Sequence, residues 1–410
     1  MDESQEVIAQ RLREVRAWRG LGLRTTAELA GLSHSYLAKL ERGEKTVSKR
    51  ATLEALATAL RVSPIELAGK PWTRTAPPDR EAHDALETLE SALETVELGL
   101  DPGGPVRPWP ALSAEVERLQ QLQHVHADYA AQARLAPQLL RELHTAYVRH
   151  PQHRPQVLLG LVRCYASACW ATKRLGVGGR GWPALAARLA QQCADELELP
   201  QWRGYAAWLR GDAAGELSRA QQYARSVRVI EQLSPASDQS EVLQACGMLH
   251  LSAALAAAAQ ADRETVATHL AEADALSQRM QTPVGGFAHL WFGAANVGIW
   301  RVSLATELGD PGEVLRAAQT VQPEAIPSPS RQAEYWADLG RVQLGQSATR
   351  EHGVQSLLQA EQLAPQRVHN DLFAREAVAG LLRRARRDAG GREARGLGYR
   401  MGLAPAAAKE

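Results

Sequence analysis

The residues from 23 to 42, LRTTAELAGLSHSYLAKLER, constrain the fold of this chain more than any other stretch. Two short helices are predicted here, over 23–30 and 34–40, with a tight turn between them. Gly31 lies at the turn because glycine enters positive φ without steric cost. Ser33 precedes the second helix, where its hydroxyl oxygen can accept a hydrogen bond from an unpaired backbone amide. This is the helix-turn-helix layout, in which the second helix lies in a DNA major groove.

Short motifs frame this pair of helices. Gly20-Leu21 ends the first predicted helix of the chain, Ala-Gly-Leu-Ser occupies 30–33 and Leu-Glu-Arg-Gly occupies 40–43. On these motifs, residues 4–68 resemble the five-helix DNA-binding domain of the Cro/phage-repressor (XRE) family. The resemblance implies five helices in the order of that family, with the third helix on the DNA.

The resemblance also assigns roles to single positions. Arg16 and Glu41 stand at the spacing of the family's ion pair between helix 1 and the end of helix 3, and we expect this pair to be structural. Leu23 stands where many members carry a glutamine that binds a phosphate, and Thr26 stands where a core leucine is usual. These departures affect one phosphate contact and some packing, whereas the expected fold is unchanged.

The outward face of the third helix carries the side chains expected to contact bases. Those candidates are His34, Ser35, Tyr36 and Lys39. A lysine can donate to guanine O6 and N7, whereas serine or histidine can pair with more than one base. Phosphate contacts, which add affinity but no sequence information, are predicted for Arg24, Lys45, Lys49 and Arg50. The alternative is that all these side chains form only a solvated helix face.

The chain is longer than one typical domain, with 410 residues, 45% hydrophobic content and a net charge of +1. This composition is typical of soluble globular proteins. Residues 1–70 hold 12 Lys and Arg against 9 Asp and Glu, a small positive surplus at the predicted DNA-binding end. No export signal is visible, and no apolar run reaches the ~18 residues of a membrane span. We therefore expect a cytoplasmic protein without membrane contact.

Composition divides the chain into four segments. The helix-turn-helix domain is predicted at 1–69 and a linker at 70–80, where prolines interrupt helical periodicity. Amphipathic helices separated by short breaks, one of them near Pro137, then form a helical repeat domain at 81–390. A flexible tail is predicted at 391–410.

Helix pairs recur in the repeat domain every 35–45 residues or so, a period typical of solenoids. One unit follows the order of large and small residues of a tetratricopeptide (TPR) motif, with one extra residue between its helices: Trp336, Leu339, Gly340, Leu357, Ala360 and Pro365. The predicted fold is therefore all-α, with a five-helix repressor-type DNA-binding domain followed by a TPR-like α-solenoid.

Residues 292–310, FGAANVGIWRVSLATELGD, carry a second resemblance. Together with the N-terminal domain, this segment looks like the actinobacterial XRE regulators that bear a TPR-like C-terminal domain. In architecture these resemble the peptide-pheromone receptors of Gram-positive bacteria. The resemblance implies a signal-peptide receptor, as in quorum sensing, with the signal bound by the concave helical face.

The helix predicted around 290–308 has one face suited to a ligand. Asn296 and Trp300 lie on it beside small and polar residues, and the chain has only one other asparagine, Asn370. An asparagine offers both a donor and an acceptor, which suits a peptide backbone. Further candidates on adjacent helices are Arg331, Tyr335 and His250. The alternative is that Asn296 bonds a neighbouring helix and Trp300 is ordinary repeat packing.

Few residues suggest catalysis or metal binding. The sequence has no phosphate-binding loop, no dinucleotide-binding glycine motif after a strand, no HExxH and no GxSxG. His124 and His126 are two residues apart and would point in different directions on a helix. The scattered cysteines are expected to be buried reduced thiols. We therefore predict that the protein is not an enzyme and needs no metal or cofactor.

These predictions describe a sequence-specific DNA-binding transcriptional regulator. It would act as a homodimer, because one head covers a half-site and two-fold symmetry suits a palindromic operator in double-stranded DNA. The repeat domain would sense a peptide or small-molecule signal that shifts the spacing between the heads. The alternative is a TPR-type interaction adaptor that binds a partner protein and whose head associates only weakly with DNA.

Overall fold

The computed structural model describes residues 7–62, 67, 77–175, 181–213, 219–236, 238–385 and 392–403. Within these ranges the regular structure consists of twenty α-helices and short 3-10 turns, with no strand. The all-α prediction is therefore confirmed.

The N-terminal domain, called the head below, contains the helix-turn-helix. Its described helices are α1 (Val7–Trp18), α2 (Leu23–Leu29), α3 (His34–Glu41) and α4 (Arg50–Leu60). Leu12, Leu37 and Leu56 are fully buried at its centre. The predicted fifth helix lies largely outside the described residues, although Leu67 is helical and buried there.

The turn and the cap of the helix-turn-helix have the predicted geometry. Gly31 adopts a φ of +63°. The Ser33 hydroxyl oxygen accepts a hydrogen bond from the Tyr36 amide at 3.2 Å, which caps α3. Arg16 forms two hydrogen bonds with the Glu41 carboxylate, of 2.5 and 2.8 Å, and joins α1 to the end of α3 as expected. Thr26 is fully buried, and its hydroxyl donates to the Gly22 carbonyl at 3.0 Å.

The rest of the described chain folds into a helical array. Its helices are α5 (Pro77–Thr95), α6 (Trp109–His124), α7 (Tyr129–Arg149), α8 (Arg154–Arg174), α9 (Trp182–Leu197), α10 (Pro200–Ala213), α11 (Arg219–Leu233), α12 (Ser240–Ala259), α13 (Arg263–Gln278), α14 (Ala294–Leu308), α15 (Pro311–Ala318), α16 (Pro329–Leu344), α17 (Arg350–Leu363), α18 (Pro365–Asn370), α19 (Leu372–Ala385) and α20 (Arg392–Arg400).

The array has an inner and an outer layer. Helices α8, α10, α12, α14 and α16 each contact the next member of that series, and they form the inner layer. Helices α9, α11, α13, α15 and α17 pack outside them, each against its neighbours in sequence. This alternation is the arrangement of an α-solenoid. Gly340 permits the close crossing of α16 and α17, because a Cβ there would lie 3.0 Å from Leu357 Cγ.

The two ends of the array meet. Helix α18 contacts α8. The Gln366 side-chain oxygen accepts hydrogen bonds from the Tyr129 and Ala130 amides at 2.8 and 3.1 Å, at the start of α7. The inner helices therefore curve around a central space.

Two features of the array differ from the sequence predictions. Helix α7 continues through Pro137, where a break was expected, because buried residues on both sides of the proline hold it against its neighbours. Helix α12 is long and apolar enough to cross a bilayer, although no such run was expected. Its apolar window is 89% buried within the fold, as in the core helix of a globular domain.

Residues 392–400 form helix α20, within the segment 391–410 where a flexible tail was expected. Leu397 of α20 is buried, and Arg400 pairs with Glu361 of α17 at 2.5 Å. The cysteines have the predicted state, since all four are unpaired and buried.

The head contacts the array through α4 and its own core. Leu372 and Phe373, at the start of α19, pack against the apolar core of the head. Glu54 of α4 pairs with Arg219 of α11, with 3.4 Å between Oε1 and Nε. A Cβ on Gly309, at the end of α14, would lie 1.8 Å from Lys49 Cε, so the Lys49 side chain occupies that space.

Candidate DNA-binding surface and ligand cavity

Helix α3 presents a polar face to solvent. His34, Ser35 and Lys39 are exposed, whereas Tyr36 is partly buried against the core of the head. Burial raises the pKa of the Tyr36 hydroxyl above its ordinary value. The structure therefore places three of the four predicted base-contacting side chains together on an accessible surface.

The predicted phosphate contacts are placed less uniformly. Arg24 and Lys45 are exposed, and Arg24 pairs with Glu28 at 3.0 Å on the surface of α2. Lys49 lies at the C-terminal end of α14, where unpaired carbonyls favour a positive charge. Arg50 begins α4, and its side chain lies outside the described residues.

A cavity of about 180 Å³ lies between the inner helices of the array. One face of α14 lines it with Asn296, Trp300, Ser303 and Glu307. These residues recur every three or four positions, as neighbours on one side of a helix do. Arg331 of α16 also lines the cavity, so the structure brings together three of the five predicted ligand-binding residues: Asn296, Trp300 and Arg331.

The other two predicted ligand-binding residues lie away from that cavity. The Tyr335 hydroxyl donates to the Ala318 carbonyl at 3.4 Å, on the opposite side of α16. His250 Nδ1 lies 3.0 Å from His269 Nδ1, between α12 and α13.

Asn296 uses both ends of its amide within the protein. Its nitrogen donates to the Leu290 carbonyl at 3.1 Å, and its oxygen accepts from Arg331 Nε at 2.9 Å. These contacts fit the alternative stated in the sequence analysis, in which Asn296 bonds a neighbouring helix, because Arg331 belongs to α16. The Arg331 guanidinium lies over the Trp300 ring, 4.8 Å from its centre, so Asn296 orients a cation that faces the cavity.

The loop before α14 forms a strained wall of the cavity. Ala288, His289 and Trp291 have positive φ angles of 45°, 55° and 51°, a conformation that costs each non-glycine residue about 1 kcal/mol or more. Phe292 anchors this loop against α12, because a Cβ on Gly247 would lie 2.0 Å from Phe292 Cζ. Strain of this kind often marks functional sites.

Partly buried ion pairs form another wall. Glu334 accepts from Arg331 at 2.8 Å and pairs with Arg367 at 2.9 Å. Burial would raise the pKa of Glu334, but Arg367, Arg331 and Arg174 hold it well below its ordinary value. The carboxylate therefore lies in a strongly positive environment.

The opposite end of this wall has a different balance of charge. Asp338 accepts hydrogen bonds from Arg341 and Ser303, both at 2.6 Å. Its pKa is raised by burial, and the Arg341 charge only partly opposes that effect. Three arginines therefore act on Glu334, whereas beside Asp338 the charge of Arg341 is opposed by Glu334 and Glu307, so the end of the cavity near Glu334 is the more positive one.

Aromatic side chains cover the side formed by α8 and α10. The Trp170 and Trp208 rings are 5.9 Å apart, and Tyr205 lies 5.8 Å from Trp208. Arg174 lies over Trp170 at 5.4 Å and connects this aromatic wall to the charged one. Lys173 pairs with Asp212 at 2.5 Å nearby, and burial lowers its pKa to about 8.

His124, one of the two histidines considered as metal ligands, lies against another histidine. His124 stacks on His289 at 4.0 Å, and burial together with that neighbour holds its pKa well below the ordinary value. Among the described residues, no three His, Cys, Asp or Glu side chains lie close enough to hold a metal ion.

Sequence reasoning missed most of the charged and aromatic lining. The missed residues are Trp170, Arg174, Trp208, Glu334, Asp338, Arg341 and Arg367. One signal was available, because Arg331, Glu334, Asp338 and Arg341 form a charged stripe on α16, next to the predicted TPR motif. The residues of α8 and α10 carry no comparable local pattern.

Comparison with known families matches residues 7–68 to a helix-turn-helix domain. No curated protein and no solved structure gives a significant match to the chain. The match covers the head, so the N-terminal domain is a helix-turn-helix domain of the kind found in DNA-binding regulators.

Proposed function

We propose that this protein is a cytoplasmic, sequence-specific transcriptional regulator of the XRE type that binds a palindromic operator as a homodimer. The observation that carries the proposal is the helix-turn-helix domain at 7–68, with an accessible polar face on α3. His34, Ser35 and Lys39 contact base edges on that face. Arg24, Lys45 and Arg50 contact phosphates.

The repeat domain, TPR-like in its helix pairs, is the sensor in this proposal. It holds a cavity lined by charged and aromatic side chains, which suits a small molecule or the end of a peptide. Such a signal would act on the head because two residues belong to both places. Arg219 lines the cavity and pairs with Glu54, and Phe373 lines the cavity and packs against the core of the head.

Contact with the repeat domain also engages a residue predicted to bind DNA. Lys49 lies against Gly309, at the end of the helix that carries Asn296 and Trp300. A head held in this way keeps α3 accessible but loses one phosphate contact. A ligand that moves α14 or Arg219 would release Lys49 and thereby strengthen operator binding.

The test is genome-wide footprinting of the purified protein on DNA of its host, at a stated salt concentration. We expect a few sharp sites with two-fold symmetry. Lys39→Ala should weaken binding to one such site about tenfold and binding to random DNA much less, because a base contact discriminates and a phosphate contact does not.

Ser35→Ala and Arg24→Ala serve as the matched pair in that experiment, one at a predicted base contact and one at a phosphate contact. Diffuse binding that changes only with salt would contradict the regulator. It would favour the adaptor alternative, in which the repeat domain binds a partner protein.

A further inference from the structure

Several buried polar atoms around the cavity have no hydrogen-bond partner among the described residues. Most are donors: Arg174 Nε, Trp291 Nε1, Trp300 Nε1, Arg331 Nη2, Arg341 Nε and Arg341 Nη1. Gln123 Oε1, an acceptor, and His289 Nδ1 are also unpartnered. Trp300 is only 8% exposed, so its N–H cannot turn to bulk solvent. A buried donor without an acceptor is costly, so these atoms indicate a ligand rich in acceptors.

Three of these donors lie at the positive end of the cavity. Arg331 lies over the Trp300 ring, and both Arg331 and Arg174 act on Glu334 as positive charges. Glu334 already satisfies Arg331 Nη1 and Arg367 Nη2. The remaining N–H groups of Arg174, Arg331 and Trp300 can therefore donate hydrogen bonds to a second negatively charged group.

The neighbouring wall defines what that group is attached to. Trp170, Trp208 and Tyr205 present aromatic rings to the same space, and Arg174 connects them to the donors. The cavity volume of about 180 Å³ limits the size of the ligand, since an engineered cavity of roughly 150 Å³ accepts benzene. One aromatic ring with a short acidic arm matches both the volume and the wall.

We infer that the cavity binds an aromatic carboxylate, with its carboxylate at Arg174, Arg331 and Trp300 and its ring against Trp170 and Trp208. The inference rests on the sensing role proposed above and names the chemistry of the signal. The same group occurs in a free aromatic acid and in the C-terminal residue of a peptide that ends in tryptophan.

Titration calorimetry on the full chain tests the inference with two pairs of probes. Indole-3-propionate is compared with its neutral amide, and the peptide Gly-Gly-Trp with its C-terminal amide. We expect each bound carboxylate to exceed its amide at least tenfold in affinity, because hydrogen bonds to a charged group are the stronger ones. Binding of the free acid alone assigns a small-molecule signal, and tighter binding of the peptide assigns a peptide terminus.

Variants locate the carboxylate. Trp300→Phe keeps the ring but removes the N–H, and should reduce the advantage of the carboxylate over the amide about fivefold or more. Arg174→Gln should reduce it further. Trp182→Phe is the matched control, because its N–H is likewise unpartnered but Trp182 does not line the cavity. Circular dichroism checks that each variant folds.

Equal affinity for acids and amides, or no binding of either acid at millimolar concentration, would overturn the inference. Operator footprinting without added probe tests the proposed regulator function separately from ligand binding. Sharp operators without acid binding would leave the regulator standing and remove the ligand assignment. Acid binding without operators would support the ligand assignment and contradict the regulator.

Discussion

The head and the cavity arrange their polar side chains in opposite ways. In the head, α3 buries Leu37 and Leu40 and exposes His34, Ser35 and Lys39. Around the cavity, α14 buries Asn296 and Trp300, and the ion pairs of Glu334 and Asp338 on α16 are partly buried between helices. The head thus exposes these polar side chains to solvent, whereas the repeat domain surrounds its own with protein.

This difference affects how each region is stabilised. The contact that caps α3 is local, because Ser33 accepts from the Tyr36 amide three residues later. Contacts around the cavity join distant parts of the chain, such as Ser303 to Asp338 and Gln366 to Tyr129. A change at the cavity should therefore disturb several helices at once, and a change in a cap of the head should disturb one.

Glu334→Ala should have the largest effect. The variant leaves Arg331 and Arg367 buried without their shared carboxylate, so we expect the free energy of unfolding of the repeat domain to fall by about 4 kcal/mol. Urea unfolding followed by tryptophan fluorescence measures it. Glu313→Ala removes an exposed ion pair with Arg316 and should cost less than ~0.5 kcal/mol. Similar losses in both variants would contradict the distinction between buried and exposed charge.

Acid should destabilise the repeat domain before the head. His144 is buried against Tyr165, and burial lowers its pKa from 6.5 to about 4. The unfolded chain therefore binds a proton below pH 6.5 that the folded chain does not bind until about pH 4. His144 alone should thus lower the free energy of unfolding by about 3 kcal/mol across this window as the pH is lowered.

Hydrogen exchange at several pH values measures this loss region by region. His144→Gln cannot titrate and should flatten the pH dependence of exchange in α7 and α8. The head has a single histidine in its described part, the exposed His34, so exchange in α1 to α4 should change little over the same range. Parallel losses in both regions would show that the two do not differ in this way.

Ser33→Ala should have a smaller and more local effect. It removes the cap of α3 and should lower stability by about 1 kcal/mol. Faster hydrogen exchange should be confined to α3 and its neighbours in the head. Ser35→Ala, on the exposed face of the same helix, is the control and should leave exchange unchanged. Faster exchange throughout the repeat domain would contradict a local role.

Arg219→Gln should have the smallest effect and tests the contact between the two regions. It weakens the pair with Glu54 and should release Lys49 to contact a phosphate. The ratio of operator affinities at 50 and 200 mM salt should then rise about threefold, the contribution of roughly one phosphate contact. Arg279→Gln, in an exposed pair with Asp238, is the control. An unchanged salt dependence would show that the contact does not withhold Lys49.

The fold was largely predictable, and the exceptions have physical causes. Helical periodicity indicated an all-α chain, but Pro137 was assigned to a break because sequence shows the missing amide and not the packing that keeps α7 continuous. The C-terminal segment was assigned to a tail for a similar reason. Its ion pair with Glu361 joins residues far apart in sequence.

Local sequence sufficed for the helix-turn-helix, because Gly31, Ser33 and the alternation of apolar and polar residues act within a few positions of each other. Local sequence also indicated Asn296, Trp300 and Arg331 as candidates for ligand binding. Tertiary structure alone decided that these three meet Arg174 and Trp170 from α8, and that Arg219 and Phe373 face both the cavity and the head. The reason is that a curved array brings together residues of many helices, and their spacing in the sequence does not encode that curvature.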